Sequence, residues 1–395
     1  MSNFIKKKLS VLNNKIINIS DKFPILSFFT GGGFLDIGFI QAGFNVVWTN
    51  ESNHVFADLY EYGMNSWLES NNSKKVLISD RRSIEKIYVP DIIEKAFVKK
   101  KPKFFGVIGG PPCPDFSVGG KNKGYKGSNG KLSKTYISRI CKLKPTFFVF
   151  ENVPGLYDTK DHRKFLKTFE KRLEKNGYCL DMNILSALSL GLPQDRDRFI
   201  LIGIKKAIAR KFSGVNLKVT DRKWFPWPVD KKFTGAKTKY EWPTIANERN
   251  KVLRPKKIPK ELTVKYHFDK ISNLGLDNQN DTFKPKSKKF QQIKEGDTYR
   301  KSFKKLHRFR YSPTVCYGNN EVHLHPWLKR RLSVREAMVL QGIPNTYSLP
   351  ENATLTSKFK VVSNGVPVPV SNAVAQQIIG FLSGKYYIKP KTNDA

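Results

Sequence analysis

Residues 24–42 read PILSFFTGGGFLDIGFIQA, an apolar run that passes through three glycines into a second apolar segment. A short apolar run bounded by turn residues predicts a buried strand, and the spacing of apolar residues after the glycines predicts a helix. The glycines of such a turn let the backbone approach a ligand closely at the helix N-terminus. A strand, a tight turn and a helix in this order predict the first unit of an α/β sheet.

The same unit recurs through the first half of the chain. Further apolar runs cover residues 45–49, 76–78, 104–108 and 146–150, with helical patterns between several of them. This alternation predicts a doubly wound parallel sheet, whose right-handed crossovers bring the carboxyl ends of the strands to one edge. Ligands bind at that edge in open α/β sheets. The residues delivered there are the glycine turn, Glu51, Asp80, Cys113 and Glu151.

The second half of the chain changes character twice. Two strands are predicted at residues 178–185 and 199–204, but the alternation then disappears until about residue 330. Residues 251–310 contain 18 Lys and Arg against 6 Asp and Glu, interleaved with aromatic side chains, which suits a phosphate-contacting surface or a solvated, lysine-rich insertion. Regular structure returns at residues 331–342, where Ser333 and Glu336 form a predicted capping box and Gly342 closes the helix. A last helix is predicted at residues 371–382.

Composition narrows the class of protein. The chain of 395 residues carries a formal net charge of +38, which favours a polyanion and first of all nucleic acid, although a lysine-rich proteome would also enrich a solvated surface. We predict no transmembrane helix, no signal peptide and no disulfide framework, and hence a cytoplasmic protein. Cys316, His323 and His325 fit no standard zinc spacing, so no metal is predicted.

The glycine turn indicates the kind of cofactor. Its spacing is not Gly-x-Gly-x-x-Gly, and the chain has no Gly-x-x-x-x-Gly-Lys-Ser/Thr, so a dinucleotide or triphosphate site is disfavoured. A nucleoside-type cofactor without phosphates fits better. Glu51 is placed to accept hydrogen bonds from ribose hydroxyls and Asp80 from an adenine amino group. Each of the two acids could equally be a solvated or helix-capping side chain.

A lone thiol lies in the run Gly109-Gly110-Pro111-Pro112-Cys113-Pro114, directly after an apolar strand. A thiol on a proline-stiffened loop at the carboxyl end of a strand is a candidate nucleophile. The alternative is a buried structural cysteine, which is the commoner role of a free Cys.

Glu151 comes directly after the apolar run 146–150. Partial burial there would raise its pKa, and a carboxyl that keeps its proton can donate to a ring nitrogen of a substrate. Arg196 and Arg198 alternate with Asp195 and Asp197 where the strand at residues 199–204 is predicted to begin. They could hold a ring oxygen, a phosphate or Glu151 itself, or they could pair with Asp195 and Asp197.

Eight motifs occur in a specific order: the Phe-Thr-Gly-Gly-Gly turn at 29–33, Asn50-Glu51, Ser79-Asp80, Pro111-Pro112-Cys113, Glu151-Asn152-Val153, Gln194-x-Arg196-x-Arg198, the helix at 332–342, and Asn364 with Val366-Pro367. This order resembles that of the C5-cytosine DNA methyltransferases, which use S-adenosylmethionine (SAM). The resemblance runs from about residue 26 to residue 382, except in the middle segment. Four residues depart from the family pattern without removing a catalytic group: Phe34, Arg81, Pro114 and Ser363.

The resemblance implies roles for individual residues. Cys113 would attack C6 of a cytosine flipped out of duplex DNA, Glu151 would protonate or hydrogen-bond N3, and Arg198 with Arg196 would help to fix the base. The cofactor site would be lined by Phe29, Thr30, Gly31, Gly33, Leu35, Glu51, Asp80, Pro112 and Asn364. Residues 118–124 would form a mobile loop that closes over the base.

The resemblance also implies an architecture. We expect a Rossmann-like, doubly wound α/β domain that binds SAM, with a smaller, irregular target-recognition domain. The catalytic domain would comprise residues 1–205 and 355–395, the target-recognition domain residues 206–330, and a hinge with a connecting helix residues 331–354. We expect a monomeric bacterial enzyme of a restriction–modification system, acting on double-stranded DNA at the nucleoid, with a cognate restriction endonuclease that acts separately.

Three alternatives remain at this point. One is an RNA methyltransferase of the tRNA-modifying branch, but its Cys-Phe-Thr triplet before the recognition region is absent. A second is a non-catalytic DNA-binding relative, which would have no need of Cys113, Glu151 and Arg198 together. The third, a methyltransferase acting on proteins or small molecules, would leave the charge surplus and Cys113 unexplained.

Overall fold

The computed structural model describes residues 23–385 except 74, 99, 113–127, 247–251, 285–287, 301 and 316–320. The strands in this part of the chain are β1 (Pro24–Phe28), β2 (Asn45–Asn50), β3 (Ser79–Asp80), β4 (Gly106–Gly109), β5 (Phe147–Asn152), β6 (Tyr178–Ser186), β7 (Gln194–Asp195), β8 (Asp197–Lys205) and β9 (Ser312–Pro313). The α-helices are α1 (Phe34–Gln41), α2 (His54–Ser70), α3 (Val89–Ala96), α4 (Ser128–Leu143), α5 (Gly155–Asp158), α6 (Lys160–Lys175), α7 (Lys206–Ser213), α8 (Ala236–Lys239), α9 (Val264–Ile271), α10 (Val334–Leu340), α11 (Leu355–Asn364) and α12 (Val368–Leu382).

The central sheet has the order β3-β2-β1-β4-β5-β8-β6 within the described residues. Strands β1 to β5 pair in parallel, whereas β8 runs antiparallel to both β5 and β6. Strands β7 and β9 form a separate two-stranded ladder. The predicted doubly wound, mostly parallel α/β sheet is confirmed.

Helices cover both faces of this sheet, so its central strands are buried on both sides. Along β5, Phe147 and Val149 pack into one apolar core, while Phe148 and Phe150 pack into the other. This alternation explains why β5 reads as an unbroken apolar run. The run ends at Glu151, where the strand reaches the edge of the sheet.

The prediction of a strand at residues 76–78 was wrong. Only Ser79 and Asp80 pair with β2, and the side chains of Val76 and Ile78 are 67% and 75% exposed. The segment lies at the end of the sheet, where no further strand covers it in the described structure, so apolar residues there need not be buried. Asp80 nevertheless comes at the predicted edge.

The C-terminal part of the chain closes the fold around the glycine turn. The capping box predicted at the start of α10 is confirmed, since Ser333 Oγ accepts from Glu336 N–H at 3.2 Å and Ser333 N–H donates to the Glu336 carboxylate. Tyr347 Oη donates to Gly32 O at 2.8 Å, and Ser371 Oγ donates to Leu35 O. These bonds hold the first βα unit against segments more than 300 residues away in sequence.

The middle of the chain is irregular. Residues 206–330 contain three short α-helices, two 3-10 helices and the two-residue strand β9 among the residues that are described. The first part of this segment packs on the sheet: Trp224 Nε1 donates to Leu180 O, and the Phe225 ring lies 6.0 Å from that of Phe381 in α12. None of the helices in the described part of the chain is both long and apolar enough to cross a bilayer.

One carboxyl is buried in the core of the first unit. Asp36 in α1 is fully buried and accepts hydrogen bonds from Ser27 Oγ at 2.5 Å and Tyr60 Oη at 2.8 Å. Burial raises the pKa of Asp36 to about 6, because two hydroxyl donors offset only part of the lost hydration.

We expect this carboxyl to make stability depend on pH. Because its folded pKa lies above the ordinary value of 3.8, its contribution is complete below pH 4 and is lost as pH rises through about 6. The loss amounts to about 3 kcal/mol at 1.36 kcal/mol per pKa unit. Urea unfolding of the wild type and of Asp36→Asn across this pH range measures it, with the exposed Asp161→Asn as control. Parallel pH profiles for the wild type and Asp36→Asn would contradict the prediction.

Candidate active site

The glycine turn between β1 and α1 has an unusual backbone. Phe29, Gly31 and Gly33 all have positive φ angles, of 55°, 53° and 82°. Gly33 is required as glycine, because an added Cβ would lie 2.5 Å from Met64 Sδ. At Gly31, by contrast, an added Cβ would meet nothing within 4 Å. The turn therefore presents open backbone at the carboxyl edge of the sheet.

Glu51 ties the glycine turn to the end of β2. Its Oε2 accepts from Gly31 N–H at 3.0 Å, and its Oε1 accepts from Asn53 N–H at 2.8 Å. Burial raises the pKa of Glu51 despite these backbone donors. Each carboxylate oxygen has a further lone pair, so Glu51 can accept hydrogen bonds from a ligand as well.

Asp80 is held differently. Its Oδ1 accepts from Arg82 N–H and Nε, and its Oδ2 accepts from Arg82 Nη2 at 2.8 Å and Lys95 Nζ at 3.0 Å. Burial alone would raise its pKa, but these bonds outweigh burial and lower the pKa to about 2. Four N–H donors occupy the lone-pair positions of this carboxylate, so a ligand amino group would have to displace one of them. Arg81 points away and pairs with Asp58 and Glu61 in α2.

Glu151 and Arg198 form an ion pair at the end of β5. Arg198 Nε lies 2.9 Å from Glu151 Oε1, and both side chains are about nine-tenths buried. Burial raises the pKa of Glu151, while the charges of Arg198 and Arg196 oppose that rise only in part. The carboxyl is therefore poised to take up a proton more readily than an ordinary glutamate.

Arg196 joins the start of β8 to the C-terminal segment. Its Nη2 donates to Ser363 O and Gly365 O, both at 2.6 Å. These two carbonyls flank Asn364, whose side chain is exposed. The alternative pairing of the arginines with Asp195 and Asp197 is wrong for Asp195, which pairs with Lys237 at 2.9 Å.

The segment before the candidate nucleophile meets Glu151 directly. An added Cβ at Gly110 would clash with Glu151 Oε2, so only glycine lets the loop pass beside the carboxylate. Asn152 Nδ2 donates to Pro111 O at 3.3 Å, and Pro112 is exposed. Cys113, Pro114 and the loop at residues 118–124 lie outside the described residues.

The residues of the predicted cofactor site fit a nucleoside-type group. The buried Thr30 Oγ1 has no hydrogen-bond partner in the described structure, Gly31 faces open space, and Leu35 is buried where α1 begins. Thr30 N–H donates to Asn50 O, which keeps the turn beside the end of β2. The described part of the chain contains no group of three or more His, Cys, Asp or Glu able to hold a metal ion.

Sequence reasoning missed three residues of this edge. Gly110 is required by Glu151, Asn152 orients Pro111, and Lys95 holds Asp80. The sequence did carry a signal for Gly110, namely the two glycines that precede Pro111 and Pro112. Nothing in the sequence indicated Lys95, because it reaches Asp80 from α3, 15 residues away.

Comparison with known proteins identifies the family. Residues 23–380 match the family model of the C-5 cytosine-specific DNA methylases. The chain is 41% identical over 372 residues to the type II methyltransferase M.NmeDI of Neisseria meningitidis serogroup C, covering 92% of this chain and 85% of that protein. It is 27% identical over 369 residues to M.FnuDI of Fusobacterium nucleatum, covering 92% and 96%.

Solved structures agree in fold. A DNA modification methyltransferase encoded within an E. coli prophage superposes with a TM-score of 0.61 at 21% identity, covering 91% of this chain and 99% of that one. The Dnmt2 methyltransferase of S. pombe superposes with a TM-score of 0.55 at 13% identity, covering 93% and 100%. The sequence matches, which extend over nine-tenths of the chain, show that it belongs to the C-5 cytosine-specific DNA methylases and is a DNA cytosine-5 methyltransferase.

Proposed function

We propose that this methyltransferase uses SAM as its methyl donor and acts on a cytosine flipped out of double-stranded DNA, with Cys113 as nucleophile and Glu151 as the proton-bearing group. The observation that carries the proposal is the buried Glu151–Arg198 pair beside Gly110, in the segment that leads to Cys113. Addition to a pyrimidine ring needs a nucleophile and a proton-bearing group, and a buried carboxyl with a raised pKa can serve as the second of these.

When bound, SAM supplies an electrophilic methyl group on a sulfonium. We propose that Glu51 accepts hydrogen bonds from its ribose hydroxyls, supported by the lone pairs that Gly31 and Asn53 leave free. Asp80 would act on the adenine side, directly or through Arg82 and Lys95. The remaining lining would come from Phe29, Thr30, Gly31, Gly33, Leu35, Pro112 and Asn364.

The protein's part in the chemistry begins with Cys113. Its thiolate adds to C6 of cytosine, which moves electron density to C5 and to N3. Glu151 donates a proton or hydrogen bond to N3, so the ring does not carry a full negative charge in a water-poor site. After C5 is methylated, the C5 proton passes to solvent, the Cys113 sulfur departs as thiolate and N3 returns its proton to Glu151, which restores the aromatic ring.

The arginines act through position. Arg198 holds one oxygen of Glu151, which leaves the other directed at Gly110 and the segment before Cys113. Arg196, at the start of the strand that also carries Arg198, donates to the carbonyls on either side of Asn364. The strand start that holds Glu151 therefore also holds the segment proposed to line the cofactor site. We propose that Arg198 orients Glu151, and that Arg196 positions the cofactor segment.

Recognition of DNA would fall to the irregular middle of the chain. We propose that residues 206–330 form the target-recognition domain and residues 331–354 a hinge, with residues 1–205 and 355–395 as the catalytic domain. The surplus of positive charge at residues 251–310 supports contact with phosphates. We further propose a monomer that works on bacterial nucleoid DNA alongside a separate restriction endonuclease.

Methyl transfer from labelled SAM to mixed-sequence duplex DNA tests the central proposal. We expect label at C5 of cytosine within one short sequence motif, located by bisulfite sequencing, and its loss in Cys113→Ser because a hydroxyl is a far weaker nucleophile than a thiolate. Cys141→Ser is the matched control, since that cysteine is buried between helices and should be dispensable. Incorporation into RNA but not DNA, or full activity of Cys113→Ser, would refute the proposal.

The pH dependence of the rate tests the role of Glu151. Because burial raises the pKa of Glu151, the rate should fall as pH rises through that pKa and the proton donor is lost. Glu151→Gln should lower kcat by about 10² to 10⁴, the range of general acid–base catalysis, and should abolish the fall at high pH. A Glu151→Gln enzyme with the wild-type pH profile would show that another group carries the proton.

Calorimetric titration with SAM, without DNA, tests Glu51. Glu51→Ala should weaken binding about 10- to 100-fold, because hydrogen bonds to charged groups contribute about 1.5–3 kcal/mol. Glu69→Ala, an exposed change on α2, is the control and should leave the affinity unchanged. Equal affinities for wild type and Glu51→Ala would remove Glu51 from the cofactor site.

A further inference from the structure

A second basic surface lies at the opposite edge of the sheet from the candidate active site. Five lysines surround a cavity of about 600 Å³ there; we call it the lysine groove, and its lysines are Lys100, Lys101, Lys103, Lys144 and Lys205. The groove is open to solvent, and Pro102 and Phe105 complete its wall. None of the lining residues is acidic.

The lysine groove is built from three separate elements. Lys100, Lys101 and Lys103 precede β4, Lys144 follows α4, and Lys205 ends β8. Lys101 Nζ donates to Leu143 O at 3.3 Å and lies 5.8 Å from the Phe105 ring centroid. Lys205 N–H donates to Thr146 O at 3.0 Å, directly before β5. The fold itself therefore gathers ammonium groups from three stretches of the chain that are far apart in sequence.

The positive charge of the lysine groove is not neutralised within the described structure. No ion pair there includes any of the five lysines, although 18 ion pairs occur elsewhere in the described residues. Burial lowers the pKa of Lys205, and the charges of Lys101 and Lys144 lower it further, which indicates mutual repulsion. A gathering of like charges without a counter-charge is relieved by a bound anion.

The position of the lysine groove separates it from the DNA that is being methylated. Lys205 lies level with Thr146 at the amino end of β5, and Glu151 lies five residues further along near the carboxyl end, about 17 Å away at 3.3 Å per residue. A duplex that offers a base to Glu151 lies against the carboxyl edge, and the lysine groove faces the other way. The anion it takes is therefore not the backbone of the substrate duplex.

We propose that the lysine groove binds the phosphate backbone of a second DNA duplex, distinct from the one at the active site. Duplex DNA carries one negative charge per about 1.7 Å of axis, so several ammonium groups can be engaged at once. Lysines act as point charges, and the lining residues include no arginine, asparagine or glutamine that could read base edges, so binding is independent of sequence. Contact with the second duplex would keep the enzyme on DNA while its active site releases one methylated target sequence and finds the next.

A bridging assay with the full chain tests the proposal. An immobilised short duplex is loaded with protein, and capture of a second, fluorescent duplex of unrelated sequence is measured over a range of salt concentrations. The groove variant carries Lys100→Gln, Lys101→Gln, Lys103→Gln and Lys144→Gln. The charge-matched control carries Lys160→Gln, Lys164→Gln, Lys167→Gln and Lys171→Gln, four exposed lysines of α6.

We expect the groove variant to lose capture of the second duplex by tenfold or more, and the control to retain it. For binding of the second duplex, the plot of log K against log salt concentration should become less steep in the groove variant. Its slope should fall in magnitude by about 3 to 4, because each phosphate contact contributes about 0.9. Methylation of a short duplex, which needs only the active site, should stay within about twofold for both variants, and this also shows that both are folded.

Three outcomes would overturn the proposal. Equal loss of capture in both variants would mean that total charge, not the groove, holds the second duplex. Undiminished capture by the groove variant would place the second duplex elsewhere. Saturable binding of inorganic tripolyphosphate that depends on the groove lysines, without capture of duplex, would make the groove a site for small polyphosphates. A wild type that bridges duplexes but methylates none would refute the proposed function and leave this inference standing.

Discussion

The antiparallel register between β5 and β8 is the constraint on which the candidate active site depends. In that register Asn152 stands opposite Phe199, so Arg198 comes beside Glu151 at the end of β5. A parallel partner strand would start at the other edge of the sheet, so an arginine at its start would lie far from Glu151. The same strand start carries Arg196 to the carbonyls of Ser363 and Gly365. One change of strand direction thus joins the catalytic carboxyl to the C-terminal segment.

The acids at the carboxyl edge are in different electrostatic states, and the reason is local in each case. Glu51 receives backbone donors only and Glu151 lies buried against one close guanidinium, so burial prevails and both pKa values are raised. Asp80 receives Arg82 and Lys95 as well as a backbone donor, so its pKa falls to about 2. Asp80 therefore stays charged at any physiological pH, whereas Glu151 can exchange a proton during a reaction. This division of states suits a site that must both hold a ligand and move a proton.

The net charge of +38 is concentrated in part on two separate surfaces of the protein. Part of it lies at residues 251–310, in the region proposed to read DNA, where Arg308 and Glu295 form a bidentate pair that stabilises the irregular backbone. Part lies in the lysine groove, where no described acid balances it. The two surfaces differ in kind. The first combines arginines, lysines and aromatic side chains, while all the charged residues of the second are lysines, which suits backbone contact without discrimination of sequence.

Local sequence patterns specify the alternating strands and helices, the glycine turn, the capping box at Ser333 and the set of acids at one edge, because periodicity, turn residues and caps act over a few neighbouring residues. The sequence also carried the motif order of the family, which the comparisons confirmed. The strand at residues 76–78 was misplaced, since apolar content does not show whether a segment is covered. Four features became visible in the folded chain and not before: the partner of Arg198, the hydrogen bond of Lys95 to Asp80, the need for glycine at Gly110 and the gathering of the lysine groove. Each of these depends on residues brought together by strand order and direction, which no local pattern specifies.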